Sequence, residues 1–190
     1  MTTGLFVFCF ILAGAIFSSH AADVQTSPLN ASWAFLTKDT YYMKYRDYWD
    51  DWVFFNFKCV SRWGGNDKRP SDPIKIQYYI KNYDKDPYGH QYEIKVLFYR
   101  SQMDKFYYNR WRWGKEQQRQ LLYIDLEKQC HVTKTFYNDT DSGCTLWMGY
   151  YKVDKDPPDE CKKVYDNCGG STKVQYHENC KYKPPEPKRH

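Results

Sequence analysis

The chain has 190 residues, with 28 Lys and Arg against 23 Asp and Glu and a net charge of +5. That length suits one domain with a real core, and the mild charge excludes the clustered basic footprint of a nucleic-acid binder. Aromatics at 19% exclude a disordered chain, and an apolar content carried by 19 Tyr, 11 Phe and 7 Trp favours strands and ligand-facing walls over a helical bundle.

The first element is not part of the fold. Leu5 to Phe17 is an uncharged apolar run, followed by Ser18-Ser19-His20-Ala21-Ala22. It reads as a secretory signal peptide over residues 1–22, cleaved after Ala21 or Ala22, although no Lys or Arg precedes the run. The run is short for a membrane span of about 20 residues, and no second one follows. The expectation is a secreted, soluble monomer with no membrane or nucleic-acid partner. Its domain covers residues 23–180 and is followed by a basic, Pro-rich tail at 181–190.

Residues 28–38 predict a short helix, with Trp33 and Leu36, or Trp33 and Phe35, facing inward. From Thr40 the period changes to two. Tyr41, Met43 and Tyr45 alternate with Tyr42, Lys44 and Arg46, and residues 52–60 read as a second strand. Gly64-Gly65 and Pro70 break the chain. Ile74, Ile76, Tyr78 and Ile80 then give the cleanest half-buried strand. After a turn at 84–89 come strands through Tyr92–Phe98, 105–113, 118–127, 130–137 and 145–152, with a turn at 138–143. Pro157-Pro158 ends the strands. Residues 159–168 read as a helix with Asp159 as N-cap, Val164 and Tyr165 buried, and Gly169-Gly170 as the stop. Eight short strands at roughly a dozen residues each indicate an all-β sandwich or an up-and-down barrel. With a helix after the eighth strand, the arrangement is an eight-stranded antiparallel lipocalin-like barrel. It has a short N-terminal helix, an outer C-terminal helix and room for one small ligand.

Cys9 leaves with the signal, and six cysteines remain. In an oxidising compartment they form three disulfides, and sequence alone does not choose among the fifteen pairings. No C-x2-C or H-x3-H spacing supports a metal site. Cys59 near the start and Cys180 near the end suggest a staple between termini or closure of a barrel. Asn30-Ala31-Ser32 and Asn138-Asp139-Thr140 are sequons for N-glycans.

Several short motifs, taken together, resemble the tick salivary lipocalins of the histamine-binding group. Phe57-Lys58-Cys59-Val60 resembles their F-x-C-V, Gln129-Cys130-His131-Val132 their N-C-D-V, and Thr145-Leu146-Trp147 their E-L-W. Pro157-Pro158-Asp159-Glu160-Cys161 with Tyr165 resembles their I-P-x-x-C and helix aromatic, and Cys180 stands where their terminal Cys stands. The resemblance implies Cys59–Cys180 and Cys130–Cys161, which leaves Cys144 to pair with Cys168. It also implies carboxylates that hold an ammonium inside the barrel. Asp39, Asp50 and Glu93 are similar to such ligands, and Trp147 matches the family Trp. Two family carboxylates are replaced, by His131 and Thr145.

The candidate ligand-binding residues are therefore Asp39, Asp50, Trp52, Glu93 and Trp147 for an amine, with cation–π help from the aromatics. Arg112, in the alternating Arg110-Trp111-Arg112-Trp113 run, is the candidate partner for a ligand carboxylate. Three functions are in play. The first is sequestration of a host mediator of the biogenic-amine class, histamine or serotonin, in evasion of host defence. The second is carriage of an anionic lipid, a fatty acid or leukotriene. The third is inhibition of a host immune or complement protein through the loops. The sequence has no G-x-S-x-G or H-E-x-x-H, so no catalytic residue, enzyme activity or cofactor is expected.

Overall fold

The structure, a computed structural model, describes residues 29–37, 39–49, 53–63, 74–82, 86–109, 116–137 and 140–181. Asp50, Trp52, Arg112, Asn138, the expected signal segment and the tail beyond 181 lie outside the described residues. Helix α1 (Trp33–Leu36) opens the chain and β1 (Tyr41–Arg46), β2 (Ser61–Trp63), β3 (Ile74–Asn82), β4 (Asp86–Phe98) and β5 (Lys105–Asn109) follow. Next come β6 (Glu116–Asp125), β7 (Cys130–Phe136), β8 (Ser142–Gly149), helix α2 (Asp159–Asp166) and β9 (Lys173–Val174). Strands β2 to β8 and then β1 pair in that order, and a β1–β2 pairing closes the ring, so the fold is an eight-stranded antiparallel barrel. Strand β9 pairs with β1 at Tyr45 and Arg46, beyond the β1–β2 pairing at Tyr41 and Tyr42.

Period-two alternation explains the interior. Ile74, Ile76, Tyr78 and Ile80 on β3, Ile94 and Val96 on β4, Phe106 and Tyr108 on β5, and Trp147 on β8 are all buried in one cluster inside the barrel. A second cluster lies between the outer wall and the C-terminal segment. It joins Tyr42, Val132, Leu146 and Met148 to Tyr165 and Tyr176. Helix α2 packs over β6, β7 and β8 there, and three disulfides hold the arrangement: Cys59–Cys180, Cys130–Cys161 and Cys144–Cys168.

Three local expectations are corrected. Residues 53–60 form turns rather than a strand, and β2 is only Ser61–Trp63. Helix α1 buries Ala34 and Phe35 while Trp33 is exposed, because a four-residue helix has room for one narrow buried face. The N-cap of α2 is Pro158 rather than Asp159, which sits in the first turn where its charge suits the helix dipole. The stop after α2 is as expected, with Gly169 at φ +80°.

A bulge in β1 matters more. Met43 pairs with Trp147, but Tyr45 pairs with Leu146, so Lys44 is an extra residue. Its ammonium is buried on the outside and donates to the carbonyls of Val153 and Lys155, both at 2.6 Å. Past the bulge the faces exchange. Tyr45 joins the outer cluster beside Leu146, and Arg46 comes opposite Thr145 on the inner face.

Candidate functional site

Strand alternation and the bulge bring three guanidinium groups inside the barrel. Arg46, Arg62 and Arg119 are each at most 2% exposed, and no described Asp or Glu is among the buried residues. The described interior is therefore cationic.

At the end opposite α1, Arg46 and Arg119 share the inner face with Gln117, Thr133, Thr135 and Thr145, all buried. The Arg119 guanidinium lies over the rings of Tyr108 at 4.7 Å and Phe54 at 5.2 Å, and its Nη2 donates to Gln117 Oε1 at 3.1 Å. Arg46 lies over the Tyr48 ring and donates from Nη1 to the Phe55 carbonyl at 2.7 Å, while its Nε has no hydrogen-bond partner. The Thr133 and Thr135 hydroxyls likewise have none, whereas Thr145 is bonded to the Tyr48 hydroxyl at 2.7 Å. Buried polar atoms are normally satisfied, so this collection suits an acceptor-rich group.

Halfway down, the Tyr78 and Tyr108 hydroxyls bond each other at 2.6 Å. Burial pushes the Tyr78 hydroxyl well above its ordinary pKa, so it stays neutral. At the α1 end, Arg62 donates from Nη2 to the Ala34 carbonyl and stands over the rings of Tyr41, Phe35 and Trp147 at 4.7, 4.8 and 5.9 Å. It thereby ties α1 across the base of the barrel. His131, fully buried, stacks on Trp147 with centroids 6.0 Å apart and planes 4° apart. Arg119 faces Thr135, which lies four residues, about 13 Å measured along the strand, from His131 on β7.

Burial and the neighbouring Arg62 charge hold His131 well below its ordinary value of 6.5. The unfolded chain therefore binds this proton more readily than the folded one. His131's contribution to stability is whole above about 6.5 and falls as pH falls toward the depressed folded value. Moving from about pH 7.5 to about pH 5 should therefore destabilise the fold through this group. Urea melts of the wild type and His131→Leu at both pH values check it: the variant should lose that part of the pH dependence.

The residues expected from the sequence are dispersed. Trp147 is on the inner wall, 1% exposed. Asp39 is half-buried just before β1 and accepts a hydrogen bond from Gln129 Nε2 at 3.1 Å. Glu93, expected as a carboxylate inside the barrel, stands on the outer face, exposed, because its neighbours Ile94 and Val96 occupy the inner positions of β4. It pairs with Lys75 at 3.0 Å and accepts from Gln77 at 3.2 Å across the β3–β4 ladder. The structure does not bring Asp39 and Glu93 together. Arg46, Arg119, Gln117, Thr133, Thr135 and Phe54 were not singled out from the sequence. Alternation on Gln117, Arg119 and Leu121 was a usable signal for Arg119, whereas the bulge hid Arg46.

The chain resembles solved structures in fold and matches one family model. Japanin from Rhipicephalus appendiculatus, bound to cholesterol, superposes with a TM-score of 0.59 at 13% identity, over 76% of this chain and 97% of that one. Bovine odorant binding protein, as a deswapped triple mutant, gives 0.50 at 7% identity over 76% and 96%. Lobster apocrustacyanin A1 gives 0.50 at 10% identity over 78% and 81%. These likenesses establish the lipocalin fold. No curated protein matches the chain in sequence. The family model "Tick histamine binding protein" matches residues 20–182, a span that includes every described residue, and the chain belongs to that family of small-molecule-binding lipocalins.

Proposed function

We propose that this protein is secreted and sequesters a small host mediator whose head is a carboxylate and whose body is apolar, a fatty-acid-like lipid, inside the barrel. The observation that carries this reading is the charge of the described interior: three buried guanidiniums and no buried carboxylate. A guanidinium binds a carboxylate through two parallel hydrogen bonds. An ammonium in the same place would be desolvated beside like charge, with no described partner acid. The family position that carries a carboxylate is His131 here, next to Arg62. The amine reading that the resemblance favoured therefore gives way to the lipid one. On the inner wall, Ile76, Ile94, Val96 and Leu121 supply an apolar surface suited to a hydrocarbon chain.

Secretion rests on the reading of residues 1–22 and on the three disulfides. N-glycans at Asn30 and Asn138 belong to the same proposal. The Asn30 side-chain oxygen accepts from both the backbone and the hydroxyl of Ser32, so its amide is held at the start of α1.

Calorimetric titration with histamine, serotonin, arachidonate and a leukotriene tests the reading. Heat is expected with the carboxylates and none with the amines. Glu93→Gln should leave carboxylate binding intact and cost about 1 kcal/mol of stability or less, because its ion pair is exposed. Tight histamine binding that Asp39→Asn abolishes would overturn the proposal.

A further inference from the structure

We infer that the 53–57 segment is the barrel's own stand-in ligand, and that an anionic ligand enters by exchanging with it. The inference rests on the carboxylate reading above and concerns the control of that same site.

Phe54 is not a wall residue. It comes from the turn that joins β1 to β2, yet it is 0% exposed. Its ring lies among the aromatic faces of the interior, 5.0 Å from Tyr78, 5.8 Å from Tyr108 and 6.0 Å from Trp147, with the Arg119 guanidinium 5.2 Å above it. The next residue turns outward, with Phe55 40% exposed, and its carbonyl is held by Arg46 Nη1 at 2.7 Å. One short stretch thus places an acceptor oxygen on one lumenal arginine and an apolar ring under the other. An amphiphilic acid would make the same two contacts.

One feature marks the segment as able to leave, and another fixes the end on which it would turn. Phe55 has φ +48°, the left-handed region that a non-glycine residue adopts at a cost. The segment's downstream end is fixed instead: Cys59 is bonded to Cys180 and its N–H donates to the Gln175 carbonyl at 3.0 Å. The segment is therefore a flap anchored at Cys59.

Exchange is favoured by the head group. A neutral carbonyl offers Arg46 one acceptor, whereas a carboxylate offers charge and a two-oxygen fork that also engages Nε, which has no hydrogen-bond partner. The ligand's chain then takes the place of the Phe54 ring against Tyr78, Tyr108 and Trp147. While the flap occupies the site, apparent affinity is reduced by the fraction of molecules that are open.

The test uses dodecanoate as the probe on the whole chain. Phe54→Ala should bind it at least about tenfold more tightly than the wild type, because the competing ring is gone. In the wild type, saturating dodecanoate should speed hydrogen exchange at the amides of residues 54–57. Equal or weaker binding by Phe54→Ala, with unchanged or slower exchange, overturns the flap and leaves the carboxylate reading standing. If the two measurements disagree, or if Phe54→Ala fails to fold, the wild-type exchange result decides. Binding by the variant alone supports the flap, and absence of dodecanoate binding in both proteins overturns the carboxylate reading and the flap with it.

Discussion

Replacing Arg119 with methionine is expected to weaken carboxylate binding by about 10²- to 10³-fold. The estimate follows from removing one partner of a buried, hydrogen-bonded charge pair, which costs about 2–5 kcal/mol. Three observations put Arg119 in this position. It is 0% exposed, it lies over the Tyr108 ring, and it stands opposite Thr135 while donating to Gln117. Methionine keeps much of the apolar stem, so the loss reports the charge and its forked donors rather than missing volume. Calorimetry with arachidonate on the two proteins measures it. The neutral alcohol of the same chain length is the control. It should bind the wild type weakly and the variant no worse, because it lacks the charge. A variant that binds arachidonate as the wild type does would remove Arg119 from the site.

The largest effect on stability is expected at the Cys59–Cys180 bridge. Its cysteines are 121 residues apart in sequence, against 31 and 24 for the other two. In the chain-entropy account, closing the longest loop gives the largest stabilisation, about 4–5 kcal/mol here and about 3–4 kcal/mol for each of the shorter bridges. The Cα atoms lie 4.9 Å apart, within the normal range. Both sulfurs are buried in the outer cluster, so the double replacement Cys59→Ser and Cys180→Ser also leaves polar hydroxyls in an apolar site. Denaturant melts of three double-serine variants test the order. The Cys59–Cys180 variant should have the lowest midpoint. An equal midpoint for all three would show that strain and residual structure, rather than loop length, set their worth.

The barrel was legible because its strands are half-buried and alternate cleanly. Ile74 to Ile80 announces an inner face in every second residue, and the structure keeps that phase. Pro157-Pro158 and Gly169 fixed the ends of the outer helix in the same way. The three bridges agree with what the family resemblance implied. Two kinds of feature stayed hidden. Residues 53–60 are rich in Val and Phe and look like a strand, but the apolar side chain at Phe54 enters the interior from a turn. Alternation also fails at a bulge. Counting by twos from Tyr41 sends Arg46 outward, and only the extra residue Lys44 returns it to the interior. The same counting puts Glu93 outside once Ile94 is placed inside. The resemblance pointed the other way because it compares residue types and carries no local phase.

The cysteine pattern also has a mechanical meaning. All six bonded cysteines lie on β7, on β8, in the segment entering β2, or in the C-terminal segment that crosses behind them, and β3, β4 and β5 contain none. Covalent struts therefore brace one side of the barrel against α2 and the chain end. The other side, which carries Ile76, Ile94, Val96 and Phe106, is joined only by ladder hydrogen bonds and side-chain contacts. Hydrogen bonds and packing yield to small displacements that a disulfide resists. The braced side is thus the stiffer one, and the unbraced side is the one whose shape can yield.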